Sequence, residues 1–188
     1  MVRKFGEIAF TPEVKAAQAQ RGSRETYERY VAKGAANDSI TSELVTFLQR
    51  LDGCYFGTVG SNGYPYIQFR GGPPGFLKVL DNKTLGFADF SGNVQYITVG
   101  NLEASNKAFL FLMDYRHRRR IKIWGRAWYV ENDPTLIEKL RMPEYRAKVE
   151  RAILFEVEAF SENCSQHIPM RYGEEEVKAL VEAARREE

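Results

Sequence analysis

Cysteine and histidine are scarce in this chain, with two of each in 188 residues. Cys54 and Cys164 show no metal-ligand spacing and read as two free thiols in a reducing cytoplasm. His117 and His167 stand apart from any Ser-Asp or Cys-Asp constellation, which argues against a hydrolytic triad. His, Cys, Asp and Glu form no cluster at ligand spacing, which argues equally against a catalytic metal. Neither sign of charge dominates: a net charge of +2 is too small to make nucleic acid the main partner. No apolar run approaches the ~18–20 residues of a membrane span. The opening MVRKFGEIAF lacks an apolar run followed by a cleavage site, so a cytoplasmic protein is expected rather than a secreted one. Internal repeats and low-complexity segments are also lacking. With 44% hydrophobic and 28% charged residues, the composition is that of one soluble globular domain able to bury a core.

The local signals divide the chain into an N-terminal helical extension over residues 1–36, a main domain over 37–172 and a C-terminal helix over 173–188. Thr11-Pro12-Glu13 starts a helix, with a hydroxyl cap, proline at the first helical position and an acid in the first turn. That helix stops at Gly22, and Ser23 is placed to cap a second one ending at Gly34. In Thr41–Leu51 the residues Leu44, Phe47, Leu48 and Leu51 share one helical face. Cys54–Gly60 and Pro65–Phe69 read as a hairpin around Asn62-Gly63, because Asn-Gly suits the positive φ angles of a tight turn.

Further strands are expected at Phe76–Leu80, Leu85–Phe90, Ala108–Met113, Ile121–Val130 and Ala152–Phe160. Short helices are expected at Gln95–Leu102, Pro134–Leu140 and Pro143–Val149, and a charged one at Glu174–Arg186. Most strands follow one another too closely for helical crossovers, which disfavours a parallel doubly wound sheet. The expected class is therefore mainly β with peripheral helices (α+β): an antiparallel barrel of six to seven strands, whose closure removes exposed edges.

Gln68–Asn101 is the least generic stretch. Arg70, followed by Gly71, Gly72, Pro73, Pro74 and Gly75, leads into two strand-like runs, and the polar loop Ser91-Gly92-Asn93 closes them. A guanidinium, backbone free of side chains and a polar loop on adjacent strands suit a phosphate-bearing ligand, which needs a positive charge and N–H donors at close range. The glycines serve equally well as plain turn residues. Lys78 belongs either to a rim or to the ligand. The run Arg116–Arg120 is the densest charge in the chain, as a solvated turn or as an anion-binding one. Trp124 and Trp128 share one strand face, for packing, subunit contact or stacking on a ring. A binding site with no obvious catalytic side chain suits an enzyme whose cofactor does the chemistry.

FLKVLDNKTLGFADF, SGNVQYITVGN and RRRIKIWGRA resemble, in that order, successive motifs of the pyridoxamine 5'-phosphate oxidase-like split-barrel flavoproteins. The RGGPPGFLKVLD segment and the terminal NC-x-QHIP resemble a flavin-nucleotide-binding branch of that family. The resemblance spans roughly residues 40–172 by motif order. It implies a split barrel forming a homodimer, with FMN at the subunit interface and a small-molecule substrate. It also implies that Gly75, Phe76, Leu77 and Lys78 lie along the FMN, that Arg70 meets its phosphate, and that Ala88 and Asp89 border the flavin. Asn93, Val94 and Gln95 would form the phosphate loop, and Arg120 a further polar contact. Val94 and Gln95 stand where the oxidase has two basic residues, so the phosphate charge falls to Arg70, Lys78 and Arg118 or Arg120. The oxidase's C-terminal substrate motif is not recognisable, so vitamin B6 oxidation is not carried over. His167, Arg171 and Tyr172 are candidates for the substrate side. The resemblance thus implies an FMN-dependent oxidoreductase, with a non-catalytic flavin carrier or sensor as the alternative. A barrel that binds another anionic ligand, such as haem, is a third reading.

Overall fold

A computed structural model of the protein describes residues 3–33, 35–163 and 165–186. Cys164 and Gly34 lie outside the described residues.

Seven strands form one antiparallel sheet in the order β2-β1-β5-β6-β7-β4-β3. They are β1 (Gly53–Val59), β2 (Pro65–Gly71), β3 (Lys78–Val79), β4 (Thr84–Phe90), β5 (Lys107–Asp114), β6 (Arg119–Val130) and β7 (Val149–Asn163). The alternation of Cys54, Phe56 and Thr58 in β1, of Leu110 and Leu112 in β5, and of Ile121 and Ile123 in β6 puts one face of each strand into the core. Phe56 lies edge-on to Phe87 of β4 and Phe155 of β7, at 6.0 and 6.4 Å between ring centres. β1 therefore packs across the interior against the opposite half of the sheet, as a split barrel with peripheral helices requires.

β7 is longer than the expected Ala152–Phe160 and pairs with both β4 and β6. It carries an extra residue at two places. Asp89 pairs with Arg151 and Phe90 with Val149, leaving Glu150 unopposed. Trp124 pairs with Ala159 and Gly125 with Val157, leaving Glu158 unopposed. Such bulges bend a strand and raise its twist, which a closing sheet needs.

Three local expectations change. Only Lys78–Val79 of the expected Phe76–Leu80 pairs as a strand, while Phe76 and Leu77 precede it as buried core residues. The expected helix at Pro143–Val149 is absent. A turn closed by the Tyr145 N–H on the Met142 carbonyl carries the Tyr145 ring edge-on to Phe90, and Val149 already belongs to β7. The helix expected at Gln95–Leu102 runs from Ile97 to Ala104 (α5, below).

The helices are α1 (Phe5–Ala9), α2 (Pro12–Gln20), α3 (Arg24–Ala32), α4 (Ser42–Leu48), α5 (Ile97–Ala104), α6 (Pro134–Leu140) and α7 (Glu174–Arg185). Thr11 accepts from a backbone N–H of α2, as expected, and Thr41 caps α4 in the same way, whereas Ser23 makes no such cap on α3. Phe5 of α1 stacks on Trp124 of β6, which anchors the N-terminal helices to the outside of the barrel. No helix among the described residues is long and apolar enough to cross a membrane.

Candidate functional site

Arg70, the last residue but one of β2, reaches Asp89, near the end of β4, and the two form an ion pair. Asp89 is only 4% exposed. Its second oxygen accepts from Nη1 of Arg151 at 3.3 Å, so one carboxylate lies between two guanidiniums. Arg151 is held in turn by Glu131 through Nε at 3.0 Å and by Glu150 through Nη2 at 3.2 Å. Burial pushes the Asp89 carboxyl above its ordinary range, against the pull of Arg70 and Arg151. The buried Nε of Arg70 makes no hydrogen bond among the described residues.

Arg70, Asp89, Glu150 and Arg151 form one wall of a cavity of about 190 Å³. Its opposite wall is the loop through Asn93, Val94 and Gln95 and the start of α5. Val94 and Tyr96 both have positive φ, at 53° and 51°. A β-branched residue in that region is a backbone outlier, and such outliers persist where the surrounding structure holds them. No side chain caps α5. The N–H groups of a helix's first turn have no intrahelical partner, and Ile97, Thr98 and Val99 of that turn all line the cavity. Across it the Thr98 hydroxyl donates to Gln68 of β2 at 2.9 Å.

Of the residues expected from the sequence, Arg70, Asp89, Asn93, Val94 and Gln95 come together here. Ala88 is buried behind them in a small cluster with Leu140 and Ala152. Phe76 and Leu77 are core residues. Gly75 has φ 80°, and its N–H bonds the Leu51 carbonyl, so it serves the turn that ties this segment to the end of α4. Lys78 donates to the Lys139 and Arg141 carbonyls at 2.9 and 3.0 Å, closing the C-terminus of α6. Arg118 sits in the β5–β6 turn with φ 54°.

Arg120 lines a second cavity, about 500 Å³, walled by Tyr55, Phe109, Phe111 and Met113. His167 and Arg171 line it too, and the Arg171 guanidinium lies 4.5 Å from the Tyr115 ring centre. Tyr172 is not part of its lining, and the Arg116 guanidinium lies 4.4 Å from the Tyr172 ring centre. The charged run is largely occupied: Arg116 pairs with Glu176, Arg119 with Glu162, and His117 with Asp114. The two tryptophans share the outer face of β6, as expected, and Trp124 packs against Phe5 and Phe109. Among the described residues no three His, Cys, Asp or Glu side chains meet as metal ligands would.

The sequence reading missed Arg151. An arginine directly before an apolar strand was the available signal, but the strand was expected to begin one residue later.

A family model for pyridoxamine 5'-phosphate oxidase matches residues 40–165. The fold is similar to that of HupZ from Group A Streptococcus, with a TM-score of 0.54 and 17% identity over 71% of this chain and 99% of that one. It is similar to an FMN-binding protein from Syntrophomonas wolfei, with a TM-score of 0.51 and 11% identity over 78% and 97% of the two chains. It is also similar to a protein related to general stress protein 26 (pyridoxinephosphate oxidase family) from Clostridium acetobutylicum, with a TM-score of 0.50 and 18% identity over 64% and 85%. At these identities the likeness is one of fold alone. No curated protein matches the sequence.

Proposed function

Because the chain belongs to the pyridoxamine 5'-phosphate oxidase family, we propose that it is an FMN-binding oxidoreductase acting on a small molecule as a homodimer, with FMN at the subunit interface. The observation that carries this reading is Arg70, a nearly buried guanidinium with a free Nε–H beside the uncapped start of α5. A fixed cation and backbone donors at one end of a cavity fit the phosphate of a flavin mononucleotide. Arg70 binds that phosphate, the first turn of α5 and Asn93 supply further donors, and Gln68 and Tyr66 orient the polar chain. When bound, FMN supplies the transfer of an electron pair to or from the substrate.

The size of the cavity supports the dimer. At about 190 Å³ it falls below the ~300–1,000 Å³ of complete ligand pockets. It takes the phosphate end of the nucleotide and leaves the ring to be covered by something else. On the outer face of β1 and β2, Ile67 and Phe69 are 67% and 60% exposed, and Tyr55 and Val59 continue the same apolar patch. A second copy of the chain covers that patch and completes the site.

The test is an absorption spectrum of the purified protein, with FMN identified after release by denaturation. A colourless protein that takes up no FMN on incubation overturns the reading. Arg70→Ala is expected to lose most of the FMN affinity, and sizing of the wild type is expected to give a dimer.

A further inference from the structure

The cavity holds two positive and two negative side chains: Arg70 and Arg151 against Asp89 and Glu150. Glu131 also draws on Arg151, from outside the lining. Val94 and Gln95 add no charge from the loop. A phosphate dianion therefore approaches a neutral site, whose best cation is already engaged by a carboxylate of the protein. The two arginines are not equivalent. Arg151 has three carboxylate partners, while Arg70 has one and an unused Nε–H.

Resting on the flavin reading, we propose that Asp89 is an internal competitor for the ligand's phosphate. In the free protein it engages Nη1 of Arg70. On binding, a phosphate oxygen takes that place and Asp89 stays with Arg151. Arg151 is thus a positioning residue: it retains the displaced carboxylate, so that Arg70 meets the phosphate as an uncompensated cation. The exchange is possible because Asp89 lies between both guanidiniums in one structure, with its two oxygens assigned separately. Asp89 and Arg151 are directly opposed residues of β4 and β7, so the pair persists without moving the backbone. The consequence is selectivity. A flavin without phosphate gains nothing from the exchange, and the cost of displacing Asp89 sets how strongly FMN is preferred.

The experiment measures FMN and riboflavin affinities by quenching of flavin fluorescence in full-length protein; riboflavin shares the ring and ribityl chain but lacks the phosphate. Asp89→Asn is expected to tighten FMN by roughly tenfold, the scale of one charge-assisted hydrogen bond, with riboflavin unchanged. Arg151→Gln is expected to weaken FMN by a similar factor, because Asp89 then has only Arg70. The double variant is expected to match Asp89→Asn, because without the carboxylate Arg151 has nothing to retain; a return to the wild-type ratio is what independent effects would give, and it overturns the positioning role of Arg151. An Asp89→Asn protein with an unchanged or lowered FMN-to-riboflavin preference overturns the inference. If that variant does not fold, Glu150→Gln decides: it removes a carboxylate from Arg151 at the partly exposed bulge, and an FMN preference that does not rise overturns the inference. Wild-type protein that binds neither flavin overturns the flavin reading, and the inference with it.

Discussion

Arg70 of β2 and Asp89 of β4 form an ion pair although four strands separate them in the sheet. In a flat sheet, five interstrand spacings would hold these strands roughly 24 Å apart. Their contact exists because the sheet curls until its two ends meet. The candidate site lies where they meet, so barrel closure and site assembly are one event. The bulge at Glu150 falls beside this contact and turns β7 where Arg151 must reach Asp89.

The strained loop is expected to limit stability. Val94 holds φ at 53° with its side chain largely exposed, so little packing compensates the unfavourable backbone. Val94→Asn, which tolerates that region, is expected to raise stability by about 1 kcal/mol. For a chain of this size that is a rise of roughly 2–4 °C in Tm, measured by thermal melting.

Gly125 sits at the irregular step between β6 and β7. A Cβ there would lie 2.0 Å from the Glu156 carbonyl oxygen and 2.5 Å from the Phe155 ring. Backbone cannot yield to that contact without breaking the pairing of the two longest strands. Gly125→Ala is expected to cost about 3 kcal/mol or more, read as a lower urea midpoint or as loss of soluble protein.

Asp81 closes the turn between β3 and β4 by accepting from the N–H groups of Lys83 and Thr84, each at 2.8 Å. These bonds hold its carboxyl below the ordinary value of 3.8. A carboxyl lowered by folding stabilises the fold above its unfolded value, and that contribution is lost as pH falls through the folded one. Wild type is therefore expected to lose more stability between pH 6 and pH 2 than Asp81→Asn does, compared by urea midpoints across that range.

Cys54 lies inside the barrel on β1, where burial pushes its thiol up to about 12. A thiol kept protonated and enclosed does not react. In a Cys164→Ser protein no thiol is expected to react with a chromogenic disulfide reagent under native conditions, and one is expected after denaturation. Labelling of the native protein at the rate of a free thiol would show that the strand opens far more readily than its packing implies.

Strand and turn positions were legible from the chain because they depend on neighbours in sequence. The strand at Ala108–Met113, the Asn62-Gly63 hairpin and the Thr11 cap are each encoded within a few residues, and each forms as read. That Arg70, Asp89, Asn93, Val94 and Gln95 belong together was legible too, since a short stretch carries them and one family resemblance orders them, and they line one cavity. Which cation faces Asp89 beside Arg70 was not. Lys78, only a few residues from Arg70, goes instead to the carbonyls ending α6, while Arg151 arrives from 62 residues beyond Asp89. Local propensity carries no information about that choice. Strand order, the register of β4 on β7 and one bulge set it, and these follow from closing the barrel around a buried core.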